Sequence, residues 1–538
     1  MLSRRNLLLT GGSLALVGCA TATPAPAPGA PVAAAPPAPA PPPSAAAQLS
    51  TTLDQFFQEA LEISPQLVTS LGLDTGERAG AKSRLDDASL AQLERNRALN
   101  AEQLRRLQAV DRAQLSGMPA VNYDAVIFSI ETTAEADRRF PYGQQGAGAP
   151  YVLSQLTGSY QSVPSFLATQ HLIATKADCD AYLARLEAFA VVMDQETERA
   201  RRDIGLGVVP PDFVVDRTLT QMKGLQVAPE TSPLVTSVAE RAKQKGIAGD
   251  YAGQAATIFR DRVTPALGRQ IELMQSLRPK APHDAGCWRL PDGEAYYTLS
   301  LKVGTTTKMS ADEVHQMGLD QARELSARAD VILKSQGMSK GTVGQRIQAL
   351  YKDRRYWYAN TDAAKVKLIE DLNAQVRAMQ ARLPQYFATL PRAPVEIKRV
   401  PKFIEAGAPG GYYNPPSLDG SRPGIYWINL RNTAEVPRWA LPTLTHHESI
   451  PGHHLQLSLQ QEADLPMIRR VTFYSSYGEG WALYAEQLAK EMGVYDDNPL
   501  GELGYLQGAL FRAARLVVDT GIHFKRWSRE QAIAAMSF

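Results

Sequence analysis

Four of the chain's eight histidines fall within nine residues, in the stretch "THHESIPGHHLQ" from Thr445 to Gln456. They are His446, His447, His453 and His454, and Glu448 directly follows the second. Imidazoles beside a glutamate suit a catalytic zinc ion. Such an ion takes three protein ligands and leaves one position open for water. The nearby carboxylate then accepts a proton from that water. The spacing is not the ordinary one. In H-E-x-x-H the two histidines are four apart, about 40° around a helix. His447 and His453 are six apart, about 240° on a regular helix, and would face away from each other. His446 with His453, and His447 with His454, share a face but lie about 10.5 Å apart along the axis.

Pro451-Gly452 offers a way out. Pro451 has no amide hydrogen for the carbonyl of residue 447, and its ring crowds that turn. Gly452 can take backbone conformations that other residues resist. A bulge here absorbs two extra residues and returns His453 to the side of His447. The competing reading is a helix end with solvated histidines near a proline turn. A third ligand comes from "SYGEGWALYAEQLAKEMG", a helical stretch with Glu479 and Glu486 seven residues apart on one face. Glu479 lies 26 residues after His453, room for a turn and a return helix. Gly478 and Gly480 flank it, which allows close backbone approach. Glu486 is the rival, although with Lys490 it also fits an ordinary i,i+4 pair. The expected set is His447, His453 and Glu479 on one zinc ion, with Glu448 as general base. His446 and His454 remain alternatives to their neighbours.

The elements that must position these residues are mainly helices. Apolar periodicity predicts helices from about Leu53 to Gly72 and near 86–112, 176–204, 232–245, 250–278, 310–337 and 361–384. Ser310 and Glu313 form a candidate capping box. Strand signals are few: "APVEIKRVP" and "RPGIYWINLRN", separated by a turn-rich segment. The expected fold is therefore mainly α, with a small β element beside the metal helix. Zinc peptidases of the gluzincin type place an edge strand there, where an extended substrate can add. Ile425–Leu430 stands at the right distance before His447 for that role, with Tyr426 on it as a candidate substrate-binding residue. Gluzincins also draw a glutamate ligand from a second helix, as Glu479 would be drawn here.

The N-terminus has a different character. "MLSRRNLLLTGGSLALVGCA" has a basic start and an apolar run from Leu7 to Val17. Arg4-Arg5 resembles a twin-arginine export signal, and Leu16-Val17-Gly18-Cys19 resembles a lipobox. Residues 1–18 are expected to be a cleaved signal and Cys19 to be lipidated. An uncleaved anchor helix is the alternative, but the apolar run is short for a bilayer. Ala20 in place of aspartate favours outer-membrane sorting. Residues 19–48, rich in Ala and Pro, read as a tether, and 49–538 as the body. The formal charge is +2, and loss of Arg4 and Arg5 leaves the mature chain neutral, which gives no reason to expect nucleic acid. Cys19, Cys179 and Cys287 form neither a disulfide framework nor a thiolate metal site.

"HHESIPGHHLQ", "GEGWALYAE" and "FRAARLVVDTGIH" together resemble the bacterial family known as domain of unknown function 885. "IGLGVVPPDFVVDRTLTQM" and "YYNPPSLDGSRPGIYWINL" extend the resemblance over nearly the whole body. The family is classed with gluzincin-like metallopeptidases. Its pattern H-E-x-x-P-G-H is matched by His447, Glu448, Pro451, Gly452 and His453. The resemblance implies a mainly helical fold, one zinc ion and hydrolysis of peptides in the cell envelope. Members usually continue past this point with another helix pair, so the chain ending at Phe538, inside "SREQAIAAMSF", reads as truncated.

Further candidates follow from residue type. His523 could donate a hydrogen bond to a developing oxyanion; otherwise it is structural. Arg512 and Arg515 could bind a substrate carboxylate, unless Arg515 pairs with Asp519. Tyr477 and Tyr484 read as core packing, His171, His283 and His315 as structural, and Cys179 as a buried small hydrophobe. Cys287 lies close to His283 in sequence, which alone does not make it a nucleophile. Two other functions fit the same chain: a binding lipoprotein, and an amide hydrolase acting on a cell-wall fragment.

Overall fold

The fold is built from helices whose caps are written in the sequence. Ser310 accepts from the Glu313 amide, and the Glu313 carboxylate accepts from the Ser310 amide, opening a helix at Ala311–Ser335. Thr175 and Asp178 do the same for Lys176–Gly205. The computed structural model describes residues 43–402 and 404–536, of which Ser44 onward belongs to one compact unit. The signal, Cys19 and most of the tether lie outside the described residues. The first helix is Ala45–Ile63, so the body starts four residues earlier than the expected Leu49. Ser44 caps it, and Ala45 and Leu49 are both buried. The single helix expected over 53–72 is two, divided where Ser64 caps a second helix with proline in its first turn, Pro65–Ser70.

The region 250–278 is continuous but changes pitch. Tyr251–Ile258 and Thr264–Leu277 are α-helical, and Phe259–Val263 between them is wound as a π-helix. With Lys176–Gly205 and its neighbours these form one apolar core, holding Leu186, Met193, Val238 and Leu267. Each such side chain contributes about 1.5–3 kcal/mol by leaving water. Helices at Gly117–Arg139, Asp212–Gly224 and Gly293–Thr305 were not expected, because their apolar periodicity is weak.

Two parts position the site. One is a three-stranded sheet of order β1-β3-β2: β1 is Val395–Arg399, β2 Gly411–Asn414 and β3 Gly424–Ile428. β1 runs parallel to β3 and β2 antiparallel. The strand expected at the sheet edge is thus the central one, and β2 is an edge. The other part is the long helix Pro499–His523, which packs along Ala311–Ser335. Gly318 makes that approach possible: a Cβ there would lie 2.8 Å from Leu516 Cβ and 2.9 Å from the Ala513 carbonyl.

A buried polar knot ties the N-terminal helices to the body. Arg185, fully buried, donates to the carbonyls of Ala81 and Arg84 and to His171 Nδ1 at 2.8 Å. His171 Nε2–H donates in turn to the Asp178 carbonyl at 2.9 Å. His171 must be neutral to do both. Burial first, then the charge of Arg185, lowers it from 6.5 to about 3. The unfolded chain takes up a proton below about 6.5 that the native state refuses, so this contribution is complete above that pH and lost as pH falls toward 3. His171→Gln keeps one donor and one acceptor without a titrating ring. Urea midpoints measured between pH 7 and pH 4 are expected to fall less steeply for it than for wild type; equal slopes would refute this assignment.

Candidate metal centre

The helix Leu441–Glu448 breaks just before the expected Pro451-Gly452. Ser449 leaves helical geometry, and a new helix, His453–Glu462, starts after Gly452. Gly452 is required by space. A Cβ there would lie 2.0 Å from the His447 carbonyl oxygen and 2.3 Å from that of His446. The Ile450-Pro451 peptide is cis, and Trp481 Nε1 donates to the Pro451 carbonyl at 2.8 Å. The break turns His453 back toward His447. Their ring centroids are 4.8 Å apart and nearly perpendicular.

Glu479 completes the group. It lies on the helix Ser475–Glu491, with one carboxylate oxygen 3.4 Å from His447 Nε2 and the other 3.8 Å from His453 Nε2. One donor atom from each of the three residues lies within 4.8 Å of the others. Two imidazole nitrogens and a carboxylate oxygen are the donor set that zinc accepts in open sites. The two flanking glycines differ. A Cβ on Gly478 would strike the Phe473 ring at 2.2 Å, whereas Gly480 has nothing within 4 Å.

Glu486 is not a rival ligand but a support for His447. Its carboxylate accepts from His447 Nδ1–H at 2.8 Å, which turns Nε2 toward Glu479. The expected pair with Lys490 is absent, since Lys490 bonds Glu502 instead. The spacing that put Glu486 on the face of Glu479 was the visible signal. His453 has no such support, because its buried Nδ1 lacks a partner. His446 and His454 turn away from the group. His446 Nδ1 bonds the Ile450 carbonyl at 3.1 Å. His454 accepts from the Tyr413 hydroxyl and donates to the Ala393 carbonyl. Burial keeps both neutral, lowered to about 4.

The electrostatics separate the two acids. Glu479 falls to about 2, first through its hydrogen bond with His447. Glu448 rises to about 7, because burial outweighs the neighbouring His447 and Arg512 charges. Burial lowers His453 to about 4, so it is a free imidazole. Burial alone would lower His447 too, but its bonds to Glu479 and Glu486 prevail and raise it to about 9. A cation in this pocket would compete with that proton.

His447, Glu448, His453 and Glu479 line one cleft of about 990 Å³. Gly411 to Asn414 of β2 form part of its wall. Asn429 N–H donates to the Gly410 carbonyl. Because hydrogen-bonded pairs alternate in an antiparallel ladder, Gly411 and Tyr413 carry their main-chain groups on the free edge. Arg512 and Arg515 line the same cleft, and Arg515 makes no pair with Asp519. Asp519 accepts from the Tyr297 hydroxyl instead.

Other expected site residues are elsewhere. His523 ends the long helix eleven residues after Arg512, about 16 Å along the axis. It stacks on Tyr297 and accepts the Cys287 amide at 3.0 Å, so it does not face the cleft. Tyr426 does not line the cleft either. It is fully buried between β2 and the Leu441–Glu448 helix because β3 is the central strand. Tyr477 and Tyr484 are 59% and 47% exposed, not core. Cys179 is buried as expected, and burial pushes the Cys287 thiol up to about 12, unsuited to a nucleophile.

Residues 65–537 match the family described as "Bacterial protein of unknown function (DUF885)". The chain belongs to this family. As a DUF885 protein it resembles a crystal structure from Colwellia psychrerythraea, provisionally described as a lipoprotein. That structure is 32% identical, with a TM-score of 0.86 over 92% of this chain and 86% of the other. A protein of unknown function from Shewanella oneidensis, also provisionally described as a lipoprotein, shares the fold. It is 17% identical, with a TM-score of 0.61 and the same coverage of 92% and 86%. Among curated proteins none matches the chain significantly. No helix among the described residues is long and apolar enough to cross a membrane.

Proposed function

We propose that this DUF885 protein is a zinc-dependent peptide hydrolase of the cell envelope, anchored through a lipid on Cys19. The carrying observation is the convergence of His447, His453 and Glu479 in a cleft that also holds Glu448 and a free strand edge. The gluzincin-like order of strand, broken metal helix and glutamate helix supports the reading, as does the lipoprotein description of the 32% identical structure. The lipobox at Leu16–Cys19 supports the anchor.

Zinc held by those three residues would supply Lewis acidity to a carbonyl and acidify a water molecule. The chain's own groups do the rest. Gly411 and Tyr413 offer their main-chain N–H and C=O to an extended peptide, which adds as a strand beside β2. Glu448, poised near pH 7, takes a proton from the attacking water and returns it to the leaving amine. Glu486 holds the His447 ring and its tautomer.

The test is metal analysis of purified protein together with a digest of a mixed peptide library. One zinc per chain and metal-dependent cleavage are expected. Glu479→Gln should strip the metal, and Glu486→Gln should weaken it by about tenfold to a hundredfold. Bound zinc without cleavage of any peptide would favour a binding lipoprotein. Cleavage confined to muropeptides would favour a cell-wall amide hydrolase.

A further inference from the structure

Apart from the metal-centre residues His447, His453, Glu448 and Glu479, every ionisable side chain with a charge of its own in the cleft lining is an arginine: Arg422, Arg470, Arg512 and Arg515. Two of them are tied down. Arg422 donates to the Ser70 carbonyl and Arg470 to that of Gln461. Arg512 and Arg515 have no hydrogen bond or ion pair among the described residues. Arg515 lies against the ring of Phe511, 5.9 Å from its centroid. Arg512 is half-buried, where an unpaired guanidinium is costly. The other arginines without an ion pair or hydrogen bond, such as Arg201 and Arg377, are exposed.

The helix places both relative to the metal centre. A Cβ on Gly508 would lie 3.4 Å from Glu486 Oε2, and Glu486 bonds His447. Arg512 follows Gly508 by one turn on the same face, about 6 Å along the axis, and Arg515 by a second turn. The Arg512 charge acts on Glu448, His453 and Glu479. A row of two free forks thus leads out from the reacting position. A guanidinium fork binds a carboxylate through two parallel N–H···O bonds. One residue of extended chain spans about 3.4 Å, so a carboxylate held one or two helical turns along from Gly508 would bring the peptide bond one or two residues back toward the metal centre.

Resting on the peptide-hydrolase reading, we propose that Arg512 and Arg515 anchor the free C-terminal carboxylate of the substrate, so that the protein removes one or two residues from the C-terminal end of peptides. Arg512 holds the carboxylate when one residue leaves, and Arg515 when two leave. An amide or ester at that end removes the charge the forks bind.

The experiment takes one peptide mixture, half of it C-terminally amidated, and the zinc-loaded full chain. Mass spectrometry should show free-acid peptides shortened from the C-terminus by one or two residues. Amidated ones should be slowed by about tenfold to a hundredfold, the worth of a charge-assisted hydrogen bond pair. Arg512→Gln, shown by thermal unfolding to be folded, should raise KM for the acids and abolish the preference; Arg512→Lys should restore part of it. Internal cleavage, or equal shortening of amides, overturns the proposal. An Arg512→Gln variant that loses kcat on acids and amides alike does so too, since it would mark an oxyanion donor. A binding arm separates the two readings: the same mixture is passed over immobilised Glu448→Gln protein. Selective retention of acids that disappears with Arg512→Gln upholds the anchor even without turnover. No selective retention overturns it.

Discussion

Glu448→Gln is expected to keep zinc at full stoichiometry and to lose peptide turnover by about a hundredfold or more, the contribution of a general base. The argument starts from burial. Glu448 is 5% exposed at the end of its helix, and it lines the cleft beside the two imidazoles. Burial raises it to about 7, whereas Glu479, bonded to His447, stays near 2. One carboxylate is therefore fixed as an anion and suits a cation. The other changes protonation in the range where a proton must be accepted and then released. Glutamine preserves shape and cannot accept that proton. The two variants split the roles: Glu479→Gln loses metal and activity together, and Glu448→Gln loses activity alone. Metal content by atomic absorption and turnover on a mixed peptide substrate decide the matter. Turnover within a few-fold of wild type in Glu448→Gln, with other proteases excluded, would remove Glu448 from the chemistry.

The site was legible in sequence where a residue's chemistry permits few arrangements. Proline cannot donate to the helix, and glycine beside it frees space, so a break between His447 and His453 could be expected at Pro451-Gly452, although the helix ends earlier, at Glu448. Glu479 could be placed because the 26 residues after His453 leave room for a return helix over the histidines, which the chain reaches by way of a further short helix, Met467–Val471. Roles that depend on neighbours from distant segments were not legible. Nothing local distinguishes Glu486 as the partner of His447 from Glu486 as the partner of Lys490. That choice is made by Glu502 on another helix, which takes the lysine. Tyr426 seemed available because the apolar run of β3 looks like any strand. Its burial follows from β2, four residues in a turn-rich segment with no pattern of its own. The place of His523 depends on the length of its helix: Pro499–His523 carries Arg512 past the centre and His523 well beyond it. The mainly helical class was plain from periodicity, except where helices buried on several sides lose their apolar stripe.

Gly452→Ala is expected to cost the protein its metal while the helical body stays folded. The constraint is space at the turn that ends in Gly452. An added Cβ, however, would lie 2.0 Å from one backbone carbonyl oxygen and 2.3 Å from another, and neither can swing aside as a side chain would. The turn from Ser449 to Gly452 must open to admit it. His453 begins the next helix, so any opening carries its ring away from His447 and Glu479. Ligand distances tolerate only about 0.2 Å, and loss of a ligand should exceed the roughly tenfold to hundredfold cost of losing an outer partner. Gly480→Ala is the matched control. It sits next to Glu479 in a helix, has nothing within 4 Å, and should keep the metal while gaining up to about 1 kcal/mol of helix stability. Zinc titration against a competing chelator, with circular dichroism of both variants, reads the difference. Wild-type affinity in folded Gly452→Ala would mean that His453 does not depend on this turn for its place.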